Sequence, residues 1–162
     1  MKKLDDIAMI GFPSYLLIAV IVSALIIGVF SVSLLNMIDE SKKGIVKNEI
    51  EKIISEAENM FEYADTGTLV NVHVEFPDAL NFIVFGDISE DGVLIPVDTT
   101  LDEKTSNNYY YVFDDNSIDS YSSHVRFSGN NTDEICILRE GSYDLILELE
   151  KNGGKTYVKI YQ

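Results

Sequence analysis

The residue types that most often carry catalysis are scarce in this chain, which has two histidines and one cysteine. His73 and His124 each fall on the polar side of a predicted strand. A catalytic nucleophile needs a base within hydrogen-bonding distance and a third group that orients the base. The chain lacks the Gly-x-Ser-x-Gly, His-Glu-x-x-His and Gly-x-Gly-x-x-Gly motifs of hydrolase, zinc-protease and dinucleotide sites. We therefore predict no enzymatic activity, no catalytic residues and no cofactor.

Two acidic turns carry oxygen ligands of the kind that Ca²⁺ prefers. One contains Asp114, Asp115, Asn116 and Asp119, and the other contains Asp87, Glu90 and Asp91. The calcium-loop pattern is not met, because the hydrophobic Ile118 holds a ligand position and the glycine and terminal glutamate are missing. Asp and Asn are also common turn formers. We expect ordinary turns and no metal site, with a structural cation as the alternative.

Cys136 lies in the apolar, strand-like run from Ile135 to Leu138, and no other cysteine is available for a disulfide within the chain. We expect it to be a buried small hydrophobe.

The run Tyr109-Tyr110-Tyr111 predicts a strand whose side chains alternate between the two faces of a sheet. We expect Tyr109 and Tyr111 to face the core and Tyr110 to face solvent. An exposed aromatic binding surface is the alternative.

Charge excludes one class of partner. The formal net charge is −15, from 27 acidic and 12 basic residues. Nucleic-acid phosphates are bound by clustered Lys and Arg, so we predict no nucleic-acid partner.

The 32 residues from Ile7 to Ile38 include no charged side chain. About 20 apolar residues in a helix cross the hydrocarbon core of a bilayer. The run is also too long for an ordinary secretory signal, which favours retention. We predict a single-pass protein of the cell membrane, in contact with lipid.

Small residues recur four apart within this run, at Ala19 and Ser23 and at Ala24 and Gly28. Such pairs let the backbones of two membrane helices approach closely. They predict lateral association with like or related subunits.

The positions of the lysines do not decide which end of the membrane segment faces the cytoplasm. Lys2 and Lys3 precede the run, and further lysines such as Lys42 and Lys43 follow it. The C-terminal part is rich in Asn, Ser, Thr and Tyr, and Asn130-Asn131-Thr132 is a glycosylation sequon. We expect an extracellular C-terminal domain, with Asn130 as a candidate glycosylation site.

Beyond Ile38 the apolar residues recur at three- and four-residue steps, which is typical of an amphipathic helix. We predict one helix from about Ser14 to Ala64, with interruption at Gly44, or a new helix capped by Asp39 or Ser41, as alternatives. The stripe consists of Val46, Ile50, Ile53, Ile54, Ala57, Met60, Phe61 and Ala64.

After Gly67 the pattern is that of short strands separated by turns. The predicted strands are Val70–Phe76, Leu80–Phe85, Val93–Val97, Tyr109–Phe113, His124–Phe127, Ile135–Leu138, Tyr143–Leu149 and Thr156–Tyr161. Asn152-Gly153-Gly154 predicts a tight hairpin between the last two.

The predicted fold class is therefore α+β: a long N-terminal helix, membrane-spanning and then amphipathic, followed by an antiparallel β-sheet or sandwich, with the amphipathic half covering one face of the sheet. The domain boundaries are 1–38 for the membrane segment, 39–65 for the amphipathic helix and 66–162 for the β domain.

A hydrophobic N-terminal helix that runs without a linker into an amphipathic helix and a β domain resembles the type IV pilin superfamily, and most of all the archaeal pilin-like proteins with class III signal peptides. In that family a prepilin peptidase cuts after a Gly or Ala that follows a short charged leader. Gly11-Phe12 matches this site, with Lys2, Lys3, Asp5 and Asp6 as leader charges. The resemblance implies a cell-surface structural subunit whose helix forms a filament core.

Two departures from the family pattern support an alternative function. The uncharged residues Ile7–Ile10 separate the leader charges from the candidate cut, and the fifth residue after it is Leu16 where the family often has glutamate. The alternative is an uncleaved single-span envelope protein whose outer β domain binds another surface component, like the accessory proteins of the archaeal motility filament. A third interpretation is an exported ligand- or ion-binding module.

Overall fold

A computed structural model describes the backbone of residues 3–89 and 98–162 and the side chains of residues 15–89 and 98–162. The chain divides into two compact units, Met1–Glu40 and Ser41–Gln162. The predicted strand Val93–Val97 and the acidic residues Glu90 and Asp91 lie outside the described residues.

One helix, α1, runs from Lys3 to Tyr63. It begins earlier than the predicted Ser14, and Pro13 lies within it without ending it. Gly44 does not interrupt it, and neither Asp39 nor Ser41 caps a separate helix. Gly67 then turns the chain with a φ of +90°, a conformation that glycine adopts without strain.

Eight strands follow α1 in the described chain and form two four-stranded sheets. The strands are β1 (Leu69–Phe76), β2 (Leu80–Phe85), β3 (Asn108–Phe113), β4 (Ile118–Ser122), β5 (Phe127–Ser128), β6 (Cys136–Arg139), β7 (Gly141–Asn152) and β8 (Lys155–Tyr161). The first sheet has the order β1-β7-β8-β5 and the second the order β4-β3-β2-β6. The α+β fold class is confirmed.

The strand pairs are antiparallel except for β5 and β8, which pair in parallel through Phe127 and Val158. The β7–β8 turn is the predicted hairpin, since Gly153 and Gly154 have φ values of +58° and +83°. Two residues with positive φ allow the tight turn that matches the twist of the strands.

Two strand predictions were wrong. The strand β4 was missed, because its sequence Ile-Asp-Ser-Tyr-Ser is mostly exposed and carries no apolar alternation. It is placed by pairing with β3. The predicted strand His124–Phe127 is instead the two-residue strand β5, which begins at Phe127.

The main core lies where the apolar stripe of α1 meets both sheets. The stripe contributes Val46, Ile50, Ile53, Ile54, Ala57 and Met60, all buried as predicted, with Phe61 and Ala64 partly buried beside them. The first sheet contributes Val74, Leu145 and Leu147, and the second contributes Ile83, Phe85 and Phe113. Within the unit Ser41–Gln162, the second half of α1 is therefore part of the β domain's core.

Candidate membrane and assembly surfaces

The first half of α1 is an apolar surface without a protein partner in the described chain. Every side chain from Tyr15 to Ile38 is exposed, and Leu25 and Ile27 are 65% and 66% exposed. Within Tyr15–Tyr63 the best 18-residue stretch has a mean hydropathy of 2.8, which is long and apolar enough to cross a membrane. Burial of apolar surface is worth roughly 25 cal/mol per Å², so this surface favours lipid or another protein over water.

Two hydroxyl groups in this segment form hydrogen bonds inside the helix. Ser23 Oγ donates to the Ala19 carbonyl over 2.8 Å, and Ser31 Oγ donates to the Ile27 carbonyl over 2.8 Å. A side chain that bonds back one turn removes the cost of an unpaired hydroxyl in hydrocarbon.

All four predicted packing residues, Ala19, Ser23, Ala24 and Gly28, lie on this exposed helix. A Cβ at Gly28 would meet no atom within 4 Å. Their role in association stays a prediction. Gly11 and Phe12, the candidate processing site, lie within the backbone of α1, and their side chains are outside the described residues.

Three lysines that follow the apolar segment are paired with acids of the β domain. Lys42 Nζ lies 2.7 Å from Asp78, Lys43 Nζ lies 2.6 Å from Asp115, and Lys47 Nζ lies 3.0 Å from Asp119. Lys43 and Lys47 also lie over the ring of Phe113, at 5.0 and 5.9 Å from its centroid. These contacts hold the start of the domain-packed half of α1 against the second sheet.

Asp115, in the acidic turn predicted around Asp114, therefore pairs with α1 and with Ser117 of its own turn. The Lys43 ammonium beside Asp115, with the Ser117 hydroxyl and N–H, holds the pKa of the Asp115 carboxyl well below its usual range. Asn116 takes a φ of 63°, as a turn residue can. Asp119 is not in the turn but on β4. No local sequence pattern predicts these pairs, because Lys43 and Asp115 are 72 positions apart.

Within residues 15–89 and 98–162, no three His, Cys, Asp or Glu side chains are grouped to hold a metal ion. Asp87, from the second acidic turn, accepts a hydrogen bond from the Ile88 N–H over 2.8 Å.

The two histidines are far apart in the fold and pair with carboxylates. His73 Nδ1 lies 2.7 Å from Asp144 Oδ1. His124 lies between Glu58 and Glu62 of α1, 3.6 Å from each, and packs edge-on against Phe61. In the described chain neither ring is hydrogen-bonded to a hydroxyl or thiol.

The expectation for the tyrosine run was wrong for Tyr110. Its side chain is only 2% exposed and packs with Phe82, Val84 and Val112 in a second, smaller core. Leu101 and Ile135 cover this outer face of the second sheet. Period-two alternation cannot reveal such a cover, because it comes from residues outside the strand.

Tyr109 and Tyr111 face the main core, as predicted. Both stack on the half-exposed Tyr121 of β4, at centroid distances of 5.5 and 5.8 Å. Burial, with a smaller contribution from Glu51, raises the pKa of Tyr109 to about 12.

Cys136 is a buried free thiol, as predicted. Burial raises its pKa to about 12, so the nucleophilic thiolate is disfavoured.

The sequon lies on the loop between β5 and β6. Asn130 is exposed, and the Thr132 hydroxyl accepts a hydrogen bond from Asn152 Nδ2 over 2.6 Å. Its glycosylation stays a prediction.

Comparison of the chain with protein-family models, with curated proteins and with solved structures finds no match.

Proposed function

We propose that this protein is a membrane-anchored, pilin-like structural subunit of the cell surface, without catalytic activity. The observation that carries the proposal is that the two halves of α1 have different surroundings. Its first half is apolar and fully exposed from Tyr15 to Ile38, whereas its second half is built into the core of the β domain. An exposed apolar helix on a folded domain requires lipid or sister helices around it.

In this proposal the helix associates with other subunits, and the β domain is exposed at the cell surface. Ala19, Ser23, Ala24 and Gly28 leave room for a second helix to approach closely. The β domain presents an acidic, extracellular surface. The archaeal affiliation rests on the resemblance of the layout and of Gly11-Phe12 to class III signal peptides.

The decisive experiment is the intact mass of the chain extracted from native membranes. A chain that has lost its first 11 residues supports the pilin-like function. Replacing Gly11 with valine should block this loss. Gly44→Ala is the matched control on the same helix, since a Cβ there meets no atom within 4 Å.

A second measurement separates filaments from single anchors. Shearing of intact cells should release the protein in high-molecular-mass material, because a chain held in a filament leaves with the filament. Retention of all protein in the membrane fraction after shearing would contradict assembly.

The alternative function is an uncleaved single-span envelope protein whose outer domain binds another surface component. Leu16 and the uncharged Ile7–Ile10, which depart from the pilin pattern, favour it. It predicts a mature chain that begins at Met1 and stays in the membrane on shearing.

A further inference from the structure

We propose that the free edge of β1 is a self-association site, at which two copies of this chain pair antiparallel about Asn71. This contact lies wholly within the β domain and goes beyond the helix-mediated assembly proposed above.

The first step is that β1 is an edge strand without the usual protection. It lies at the end of the first sheet, and among residues 3–89 and 98–162 it pairs only with β7. Its eight residues carry no proline, no lysine or arginine and no register shift. The other sheet edges, β4, β5 and β6, have five, two and four residues. Edge strands normally avoid pairing through short length, lysine, proline or bulges.

The second step is the direction of the backbone groups. The Glu75 N–H donates to Glu49 Oε2 on α1 over 3.3 Å, so it points away from β7. At the other end Thr68 accepts from the Leu149 N–H, so its carbonyl points toward β7. Because direction alternates along a strand, the N–H and C=O groups of Leu69, Asn71 and His73 point off the free edge.

The third step is that Glu49 sets the length of the free edge. It occupies the Glu75 N–H, which leaves residues 69–73 for a partner strand. The centre of this stretch is Asn71. A groove of about 410 Å³ runs beside it, lined by Val70, Val72 and His73 of β1 and by Lys52, Ser55 and Glu56 of α1.

The fourth step identifies the occupant as a second copy. In an antiparallel pair centred on Asn71, Leu69 lies opposite His73, Val70 opposite Val72 and Asn71 opposite itself, with about six backbone hydrogen bonds. No Asp, Glu, Lys or Arg lies within 69–73, although the whole chain has a net charge of −15 with its histidines neutral. Two copies therefore meet at this edge without opposing like charges. Leu69, 59% exposed, also gains burial.

In this antiparallel pair, the second half of α1, which packs in the β domain, runs in opposite directions in the two copies. From Glu49 to Tyr63 the helix advances about 21 Å, and from Leu69 to Glu75 the strand returns about 20 Å. Helix and strand therefore run side by side in opposite directions, with Glu49 beside Glu75. The contact is distinct from parallel helix packing and joins copies that meet in opposite orientations.

Register-specific disulfide formation tests the proposal in the full chain in detergent, on a Cys136→Ala background. Asn71→Cys should give a disulfide-linked dimer, because opposed, hydrogen-bonded Cα atoms lie about 5.5 Å apart. Leu69→Cys and His73→Cys alone are controls, since each would be about 13 Å from its own copy. Their mixture should cross-link. We expect Asn71→Cys and the mixture to react roughly tenfold faster than either control.

Charged residues introduced at positions 69 and 73 on the Asn71→Cys background give a second test, in which the rate of cross-linking is measured. Leu69→Glu with His73→Lys places opposite charges across the contact twice and should speed cross-linking. Leu69→Lys with His73→Lys places like charges there and should slow it. Equal rates for these two variants, equal rates at all three cysteine positions, or self-linking of Leu69→Cys would overturn the proposal, as would the absence of any cross-link.

Discussion

Ser128 on β5 is fully buried, and its hydroxyl has no hydrogen-bond partner among the described residues. Desolvation of an unpaired hydroxyl costs about 1–3 kcal/mol. We predict that Ser128→Ala leaves the free energy of unfolding unchanged or raises it by about 1 kcal/mol, measured by denaturant titration.

Ser106 provides the matched control for this prediction. It is equally buried, but its hydroxyl donates to the Glu103 carbonyl over 2.9 Å. Ser106→Ala should therefore lower the free energy of unfolding by about 1 kcal/mol. Equal losses for the two variants would contradict the difference in pairing.

The raised pKa of Tyr109 makes the stability of the fold depend on pH in the alkaline range. Its pKa is raised from 10.0 to about 12, mainly by burial. The folded state holds the phenol proton more tightly than the unfolded state, so this contribution is complete below pH 10 and is lost as the pH rises through about 12. We predict that stability falls across this range and that Tyr109→Phe flattens the fall. Denaturant midpoints at stepped pH values check this, and parallel curves for both proteins would contradict it.

At the scale of elements, the amphipathic half of α1 is structural in the β domain. Ile53 is completely buried at the centre of its stripe. We predict that Ile53→Ala lowers the free energy of unfolding by about 2–5 kcal/mol, through lost burial and the cavity left behind. Ser55→Ala, at an exposed position of the same helix, should change it by less than about 0.5 kcal/mol. Denaturant titration of both variants in one detergent compares them.

The ion pairs of α1 make its docking sensitive to acid. The depressed pKa of Asp115 means that its pairing with Lys43 stabilises the fold above pH 3.8 and is lost as the pH falls below it. We predict that Lys43→Ala lowers the melting temperature at neutral pH but reduces the loss on acidification. Lys52→Ala is the control, because Lys52 pairs with Glu49 one turn away on the same helix. Identical acid profiles for Lys43→Ala and the parent chain would contradict this.

At the scale of the whole molecule, the two compact units should differ in the solvent they require. We predict that a chain beginning at Ser41 folds and stays dispersed without detergent, because its unit contains the core of both sheets and half of α1. The full chain should need detergent, because its exposed apolar helix is driven out of water. Sedimentation of both chains with and without detergent measures this. A full chain that is monomeric in plain buffer would contradict the membrane assignment.

The sequence alone predicted the elements whose burial is periodic. The stripe from Val46 to Met60 and the alternation of β1 and β7 were correct, because a helix and a half-buried strand each impose their own period on apolar residues. The uncharged run to Ile38 likewise predicted a continuous apolar helix, which the structure shows exposed from Tyr15 to Ile38.

Only the tertiary structure decided which distant groups meet. It buried Tyr110 in a second core with Ile135, placed Asp119 on an exposed strand, paired Lys43 with Asp115, and left β1 from Leu69 to His73 with one edge unpaired among the described residues. Local sequence patterns record how a residue alternates between faces of its own element, but not what covers each face. That depends on the packing of segments far apart in the chain, where no local period operates.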